Sequence, residues 1–379
     1  MPRHGETICA VLPQPIPTTT VTTSDTTPTP PATISELINS AEFNVRWFDL
    51  GRRVRLLPGS AAESFEAGAS PWPSPYLRQA WCGLLLWPRA EENAEPVVWF
   101  LRLPLDEQGK LLLPIRDRFL RDLTKALAPQ HSKPHNGHDP AKRLQEALEG
   151  SELIYTPPAD RRAVFHAKAA KVLQRAPTDH FIAAATYAKD PTSTPWESLA
   201  LQGIADLAVR WKEQRKNLEL QMANYAEPVF NALCQCLESE AIDHHLTTTI
   251  IDRASSEFAA EKPDFALLTA AIRGISQSSA TGMRQDFLLR LLESPLGTNG
   301  ELLAAIGSRC CDDLKETEIA HLWLANLSAS QPQETFNLLL TDMLFLPEIR
   351  NILLDLLRNP ERPEAVARAF GNFLHPGDK

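Results

Sequence analysis

From Trp196 to about Phe373, apolar residues recur at helical spacing and no stretch alternates with the period of a strand. Ile319, Leu322, Trp323 and Leu327 form one apolar stripe; Ile349, Ile352, Leu353 and Leu356 form another. Prolines at 228, 263, 295 and 332 divide this region at intervals of 35, 32 and 37 residues, each with room for a pair of amphipathic helices. Thr298 with Glu301, and Ser330 with Gln333, have the spacing of capping boxes, in which each side chain satisfies a backbone N–H at a helix start. Helix pairs repeated at about 35 residues predict an all-α region built as a HEAT-like solenoid or an irregular bundle.

The pattern before residue 128 differs. Thr33 and Glu36 form a capping box that opens a short helix to about Ser40. FNVRWFDLGRRVRLLP, residues 43–58, is rich in β-branched and aromatic side chains, breaks at Gly51 and reads as a hairpin. Ser60 and Glu63 open a second short helix by another capping box. Pro71, Pro73 and Pro75 then impose an extended loop. Strands are predicted at 80–87 and 96–105, with a turn at Gln108-Gly109 and a further short strand at 111–114. A helix follows from about Pro114, on a stripe of Leu120, Leu123, Thr124 and Leu127. The predicted class is α+β: a small N-terminal antiparallel sheet with helices, followed by helices alone.

Residues 1–32 hold seven prolines and nine threonines. This composition buries too little apolar area to offset the entropy of ordering, so a disordered tail dispensable for folding is expected. The segments 128–140 and 189–195 read as linkers, with helices between them at 141–149, 160–175 and 179–188. The expected division is a tail at 1–32, an α+β domain at 33–128, a linker with connecting helices at 129–195 and a helical domain at 196–379.

Of the 379 residues, 43% are hydrophobic and 22% charged, which excludes a chain disordered throughout; the net charge is −9. Residues 197–379 carry 26 acidic and 16 basic side chains, whereas residues 1–196 carry 21 and 22. An acidic surface repels nucleic acid and anionic lipid and favours basic partners. A nucleic-acid partner is not expected, because phosphate affinity needs a concentrated positive field. No run of about 18 apolar residues occurs, so no membrane-spanning helix is predicted. Pro13, Pro15 and Pro17 interrupt the stretch that a signal peptide needs to be continuously apolar. Six cysteines are too few for a secreted scaffold, and a cytoplasmic protein with free thiols is expected.

Candidate chemistry is sparse. Cys234 shares a helical stripe with Phe230, Leu233 and Leu237, and Cys310 follows Leu303, Ile306 and Gly307, so both read as core residues. His131, His135, His138 and Asp139 lie in a mobile Pro/Gly loop and read as solvated rather than as metal ligands. Asp243-His244-His245 spells a phosphoesterase triplet, but in a helical stretch without the strand-end aspartates that chemistry needs. Asp312-Asp313 reads as a solvated helix end. No phosphate-binding, dinucleotide-binding, zinc-protease or serine-hydrolase motif occurs, so no metal, cofactor or catalytic set is expected. One concentration stands out: Arg46, Arg52, Arg53 and Arg55, with Trp47, on the hairpin. Arginine forks bind phosphate or carboxylate, and an aromatic neighbour can stack. These residues are candidates for anion or partner binding, with stems along the sheet and charged heads in water. The alternatives are a basic outer sheet face, pairing with Asp49, or docking onto the acidic C-terminal half.

FDLGRRVRLLP, QAWCGLLLW, VVWFLRLPLDEQGKL and RDRFL resemble the opening blocks of a bacterial family classed only as a domain of unknown function. The resemblance covers about residues 33–375. It implies a bacterial cytoplasmic protein and supplies no catalytic residues. The leading expectation is an interaction scaffold whose helical region holds another protein. The alternatives are an enzyme or ligand-binding protein with a site between the sheet and the helices, and RNA binding through the hairpin.

Overall fold

Four strands, β1 (Phe43–Asp49), β2 (Arg55–Leu56), β3 (Gln79–Pro88) and β4 (Val97–Pro104), form an antiparallel sheet in the order β2-β1-β3-β4. The computed structural model describes residues 32–90, 94–127, 146, 148 and 150–375. The Thr/Pro tail up to residue 31, the loop with His131, His135, His138 and Asp139, and nearly all of the helix expected at 141–149 lie outside them.

The hairpin at 43–58 and the strands expected at 80–87 and 96–105 are present. The short strand expected at 111–114 is only a bridge between Leu105 and Leu111. Leu113 already begins a helix there, and Gly109, with φ at 76°, makes the predicted turn.

Side chains alternate along the strands, so the sheet has two buried faces. Phe43, Trp47, Cys82, Leu84, Leu86, Trp99 and Leu101 face a cluster completed by α1 (Ile34–Ser40), α2 (Gly59–Glu66) and α3 (Leu113–Leu127). Phe48, Leu50, Val54 and Leu85 face the remaining helices and share their core. Phe165, from α4 (Ala159–Val172), seats on that second face, with its ring 4.9 Å from Phe48 and 5.1 Å from Phe100. Gly83 makes room for it: a Cβ there would lie 2.7 Å from both Leu50 and Phe165.

After α4 and α5 (His180–Lys189), helices come in pairs: α6 (Leu201–Val209) and α7 (Arg215–Gln221), α8 (Glu227–Leu237) and α9 (His244–Ser255), α10 (Phe265–Ile275) and α11 (Thr281–Glu293), α12 (Gly300–Arg309) and α13 (Thr317–Ser330). Then follow α14 (Gln333–Leu344), α15 (Pro347–Arg358) and α16 (Glu364–Leu374). The first members, α4, α6, α8, α10, α12 and α14, pack successively in one row, and α5, α7, α9, α11 and α13 pack in a second. No strand occurs among the described residues after Trp196; Ile242 and Ser278 form an isolated bridge. The stripe residues Ile319, Trp323, Leu327, Ile349 and Leu353 are all buried, as are Cys234 and Cys310.

The helix starts correct some local expectations. Thr33 does cap α1, accepting from the Glu36 N–H at 3.1 Å, but the Glu36 carboxylate turns back to the Ala32 N–H instead of its expected partner. Pro58, not Ser60, precedes α2, and its preset backbone starts the helix without a side-chain cap. Asn299 takes the cap expected of Thr298, accepting from the N–H groups of Glu301 and Leu302 at 2.9 and 3.2 Å. Pro332 precedes α14, so Ser330 and Gln333 form no box. Asp243 is the N-cap of α9, accepting from the Leu246 N–H at 3.1 Å, which gives the Asp-His-His triplet a structural role. Asp313 is not solvated: it is 1% exposed and paired bidentately with Arg284 of α11 at 2.7 and 2.8 Å.

Candidate binding site between the sheet and the helices

The hairpin arginines separate into three environments. Arg52 is 1% exposed. Its Nη2 lies 2.9 Å from Asp342 Oδ2 in α14, and its Nε and Nη1 donate to the carbonyls of Pro75 and Ser308 at 3.0 and 3.4 Å. Asp342 Oδ1 accepts from the Leu77 N–H at 2.8 Å, and Arg309 Nη1 donates to the Arg52 carbonyl at 2.8 Å. Arg52 therefore clasps the hairpin to α12 and α14, and the expected water-exposed head is corrected. The cause lies beside it: Leu50 and Val54 are buried in the helical core and draw the intervening turn under the helices.

Trp47 is buried on the opposite face of the sheet, with Nε1 donating to Ser35 Oγ at 3.0 Å, and is closed to a partner. Arg46 is exposed on the helix-facing side, its guanidinium 5.6 Å over the Trp87 ring. Neither belongs to a common site with the other arginines.

Arg52, Arg53 and Arg55 line a groove of about 720 Å³. One wall comes from the sheet half: the loop Pro71–Pro75 and the turn 107–110. The turn is held by Asp106 Oδ1, which accepts from the N–H groups of Gln108 and Lys110 at 2.8 Å each. The other wall comes from the helices: Cys311, Asp312 and Lys315 of a 3-10 turn, and residues 345–350 at the start of α15. Six lining residues are basic and three acidic, and Pro71, Pro73, Phe345, Leu346 and Ile349 add apolar surface.

Part of this charge is already neutralised. Arg52 is closed by Asp342, Lys315 bridges Asp312 and Glu348, and Arg53 Nη2 lies 3.9 Å from Asp312 Oδ2. Arg55 is exposed and makes no ion pair among the described residues. Lys110 and Arg350 add to the remainder, leaving a positive groove on a chain of net charge −9. Sequence reading found Arg53 and Arg55 but missed Lys110, Lys315 and Arg350. Lys315 and Arg350 stand one repeat interval of 35 residues apart, but no periodicity joins them to positions 53 and 110; only the docking of hairpin on helices does.

Burial raises the thiols of all five described cysteines, Cys311 in the groove included, so none is set up as a thiolate nucleophile. No group of three or more His, Cys, Asp or Glu side chains among the described residues is placed to hold a metal ion. No helix among them is long and apolar enough to cross a membrane.

The fold thus defines an α+β protein in which a four-stranded sheet docks on a paired-helix array. A family model described as "Protein of unknown function (DUF3549)" matches residues 31–374, and the chain belongs to that family. No curated protein and no solved structure matches it.

Proposed function

We propose that this chain is a protein–protein interaction module whose groove, flanked by Arg53, Arg55, Lys110 and Arg350, takes an acidic segment of another protein. The observation that carries the reading is the excess of basic over acidic side chains in a groove with apolar walls, on a protein of opposite net charge. Complementary charge selects and steers such a partner, while the apolar wall supplies area removed from water. The two-row packing of helix pairs supports a HEAT-like solenoid serving as the rigid backing of one wall. The five described cysteines are free, which fits a reducing, cytoplasmic compartment.

A photo-crosslinking residue placed at Gln108, an exposed lining position, tests the reading in native cells. The expected product is a crosslink to an acidic segment of one protein, lost with Arg53→Glu/Arg55→Glu. A crosslink to RNA, a non-acidic segment, or one unchanged by the charge reversal overturns it.

A further inference from the structure

We propose that a second cleft, between the start of α4 and the ends of α8, α10 and α12, binds a small organic anion: a carboxylate or phosphate ester on a planar, aromatic body. Glu238, Arg273 and Arg309 stand at the C-terminal ends of α8, α10 and α12, 35 and 36 residues apart. The first row of helices thus delivers one charged side chain per step to the same end. Arg161, from the first turn of α4, meets them.

Arg273 Nε lies 2.6 Å from Glu238 Oε2, and its Nη2 lies 2.7 Å from Asp160 Oδ2. Arg309 Nε lies 3.2 Å from the same Glu238 oxygen. Arg161 Nη2 stays 3.9 Å from Glu238 Oε1, while its Nη1 donates to the carbonyls of Leu50 and Gly51. Three guanidinium groups therefore share two carboxylates by direct ion pairs, and the buried Asp49 carboxyl acts on Arg161 from further off. Burial, aided by the like charges of Arg161 and Arg273 and opposed by Glu238, brings the Arg309 guanidinium down to about 10.

The cleft has a volume of about 560 Å³, within the range of small-molecule sites. Tyr76, Trp81 and Tyr155 also line it. Tyr76 lies 5.8 Å from the Arg309 guanidinium, and Trp81 and Tyr155 meet edge to face at 4.8 Å. Guanidinium groups match carboxylate and phosphate oxygens, and the aromatic side chains give the cleft apolar area beside them, with the Arg52 guanidinium 5.5 Å from the Tyr76 ring and that of Arg102 5.9 Å from the Trp81 ring. This cleft is separate from the basic groove: Leu50 and Gly51 line the cleft, Arg52 and Arg53 the groove.

Gln235 lines the cleft and is half-buried, and its side chain makes no hydrogen bond among the described residues, so the isosteric Gln235→Glu breaks none. The variant adds a carboxylate to the cleft, where it competes with an anionic ligand for the guanidinium groups. Calorimetric titration with phenyl phosphate, benzoate, inorganic phosphate and neutral benzyl alcohol reads the outcome. At least one aromatic anion is expected to bind tenfold or more tightly than benzyl alcohol and inorganic phosphate. Gln235→Glu is expected to weaken it at least tenfold, as is Arg309→Lys, which keeps the charge but loses the fork. Arg55→Glu, in the groove, is expected to leave it unchanged. Binding of neither aromatic anion above the neutral control, or equal binding by Gln235→Glu, overturns the proposal.

Discussion

Arg52 and Asp342 stand 290 positions apart in the chain, yet their side chains meet at 2.9 Å with 1% and 3% of their surfaces exposed. Truncating one member of such a buried pair strands the other charge in a medium that solvates it poorly, at a cost of about 3–5 kcal/mol. Arg52→Ala is therefore expected to lose stability of that order in urea denaturation. Arg52→Met/Asp342→Leu, which removes both charges, is expected to recover only part of it, because the Leu77 N–H and the carbonyls of Pro75 and Ser308 lose their partners. A single variant within about 0.5 kcal/mol of wild type is the behaviour of an ordinary surface residue and is not expected.

Asp49 gives a pH signature. Its carboxyl is fully buried, and burial pushes it up to about 6, against the N–H groups of Gly51 and Trp72 and the charge of Arg161, from an ordinary value near 3.8. Between those values the folded state holds a proton that the unfolded state has released. This group's contribution to stability is present below about pH 4, declines as pH rises, and is gone above about 6. The decline is on the order of 3 kcal/mol at about 1.4 kcal/mol per pH unit. Asp49→Asn is expected to remove that slope. Parallel stability curves for the two proteins between pH 4 and 6 contradict the assignment.

Gly83 and Phe165 form a close junction between sheet and helices. Gly83→Ala places a methyl 2.7 Å from Phe165 and Leu50 atoms, and overpacking of this kind costs about 1–3 kcal/mol. Phe165→Ala is expected to cost about 3–5 kcal/mol through the cavity it leaves. The double variant is expected to fall short of the sum, because the added methyl fills part of that cavity. Strict additivity in chemical denaturation is the contrary result.

The elements were legible because their signals are local. β-Branched and aromatic content placed β1, apolar segments placed β3 and β4, the stripe through Trp323 and Leu327 placed α13, and Cys234 fell in the core as its spacing required. What stayed hidden depends on contacts between distant segments. Arg52 reads as a surface arginine until Leu50 and Val54 pull its turn under the helices, and Asp313 reads as solvated until Arg284 closes over it. The groove's Lys110, Lys315 and Arg350 share no period with Arg53. The charges of the second cleft left a trace: Glu238, Arg273 and Arg309 each close an apolar helical run at the repeat interval. A charged residue recurring at the same end of successive apolar helices is a signal that a reading of proline intervals alone passes over.

The groove's role is tested most directly by the affinity of a synthetic copy of the crosslinked partner segment for the wild-type chain and for Arg53→Glu/Arg55→Glu, measured across a salt series. Arg55 is exposed and makes no ion pair among the described residues, whereas the Arg53 side chain is 14% exposed beside Asp312, so Arg55→Glu alone is measured beside the double variant to separate a loss of affinity from a loss of stability. The double variant is expected to lose at least tenfold in affinity, and wild-type binding to weaken steadily with salt, since screening shortens the reach of exposed charges. Equal affinity of wild type and double variant, with no dependence on salt, contradicts that role.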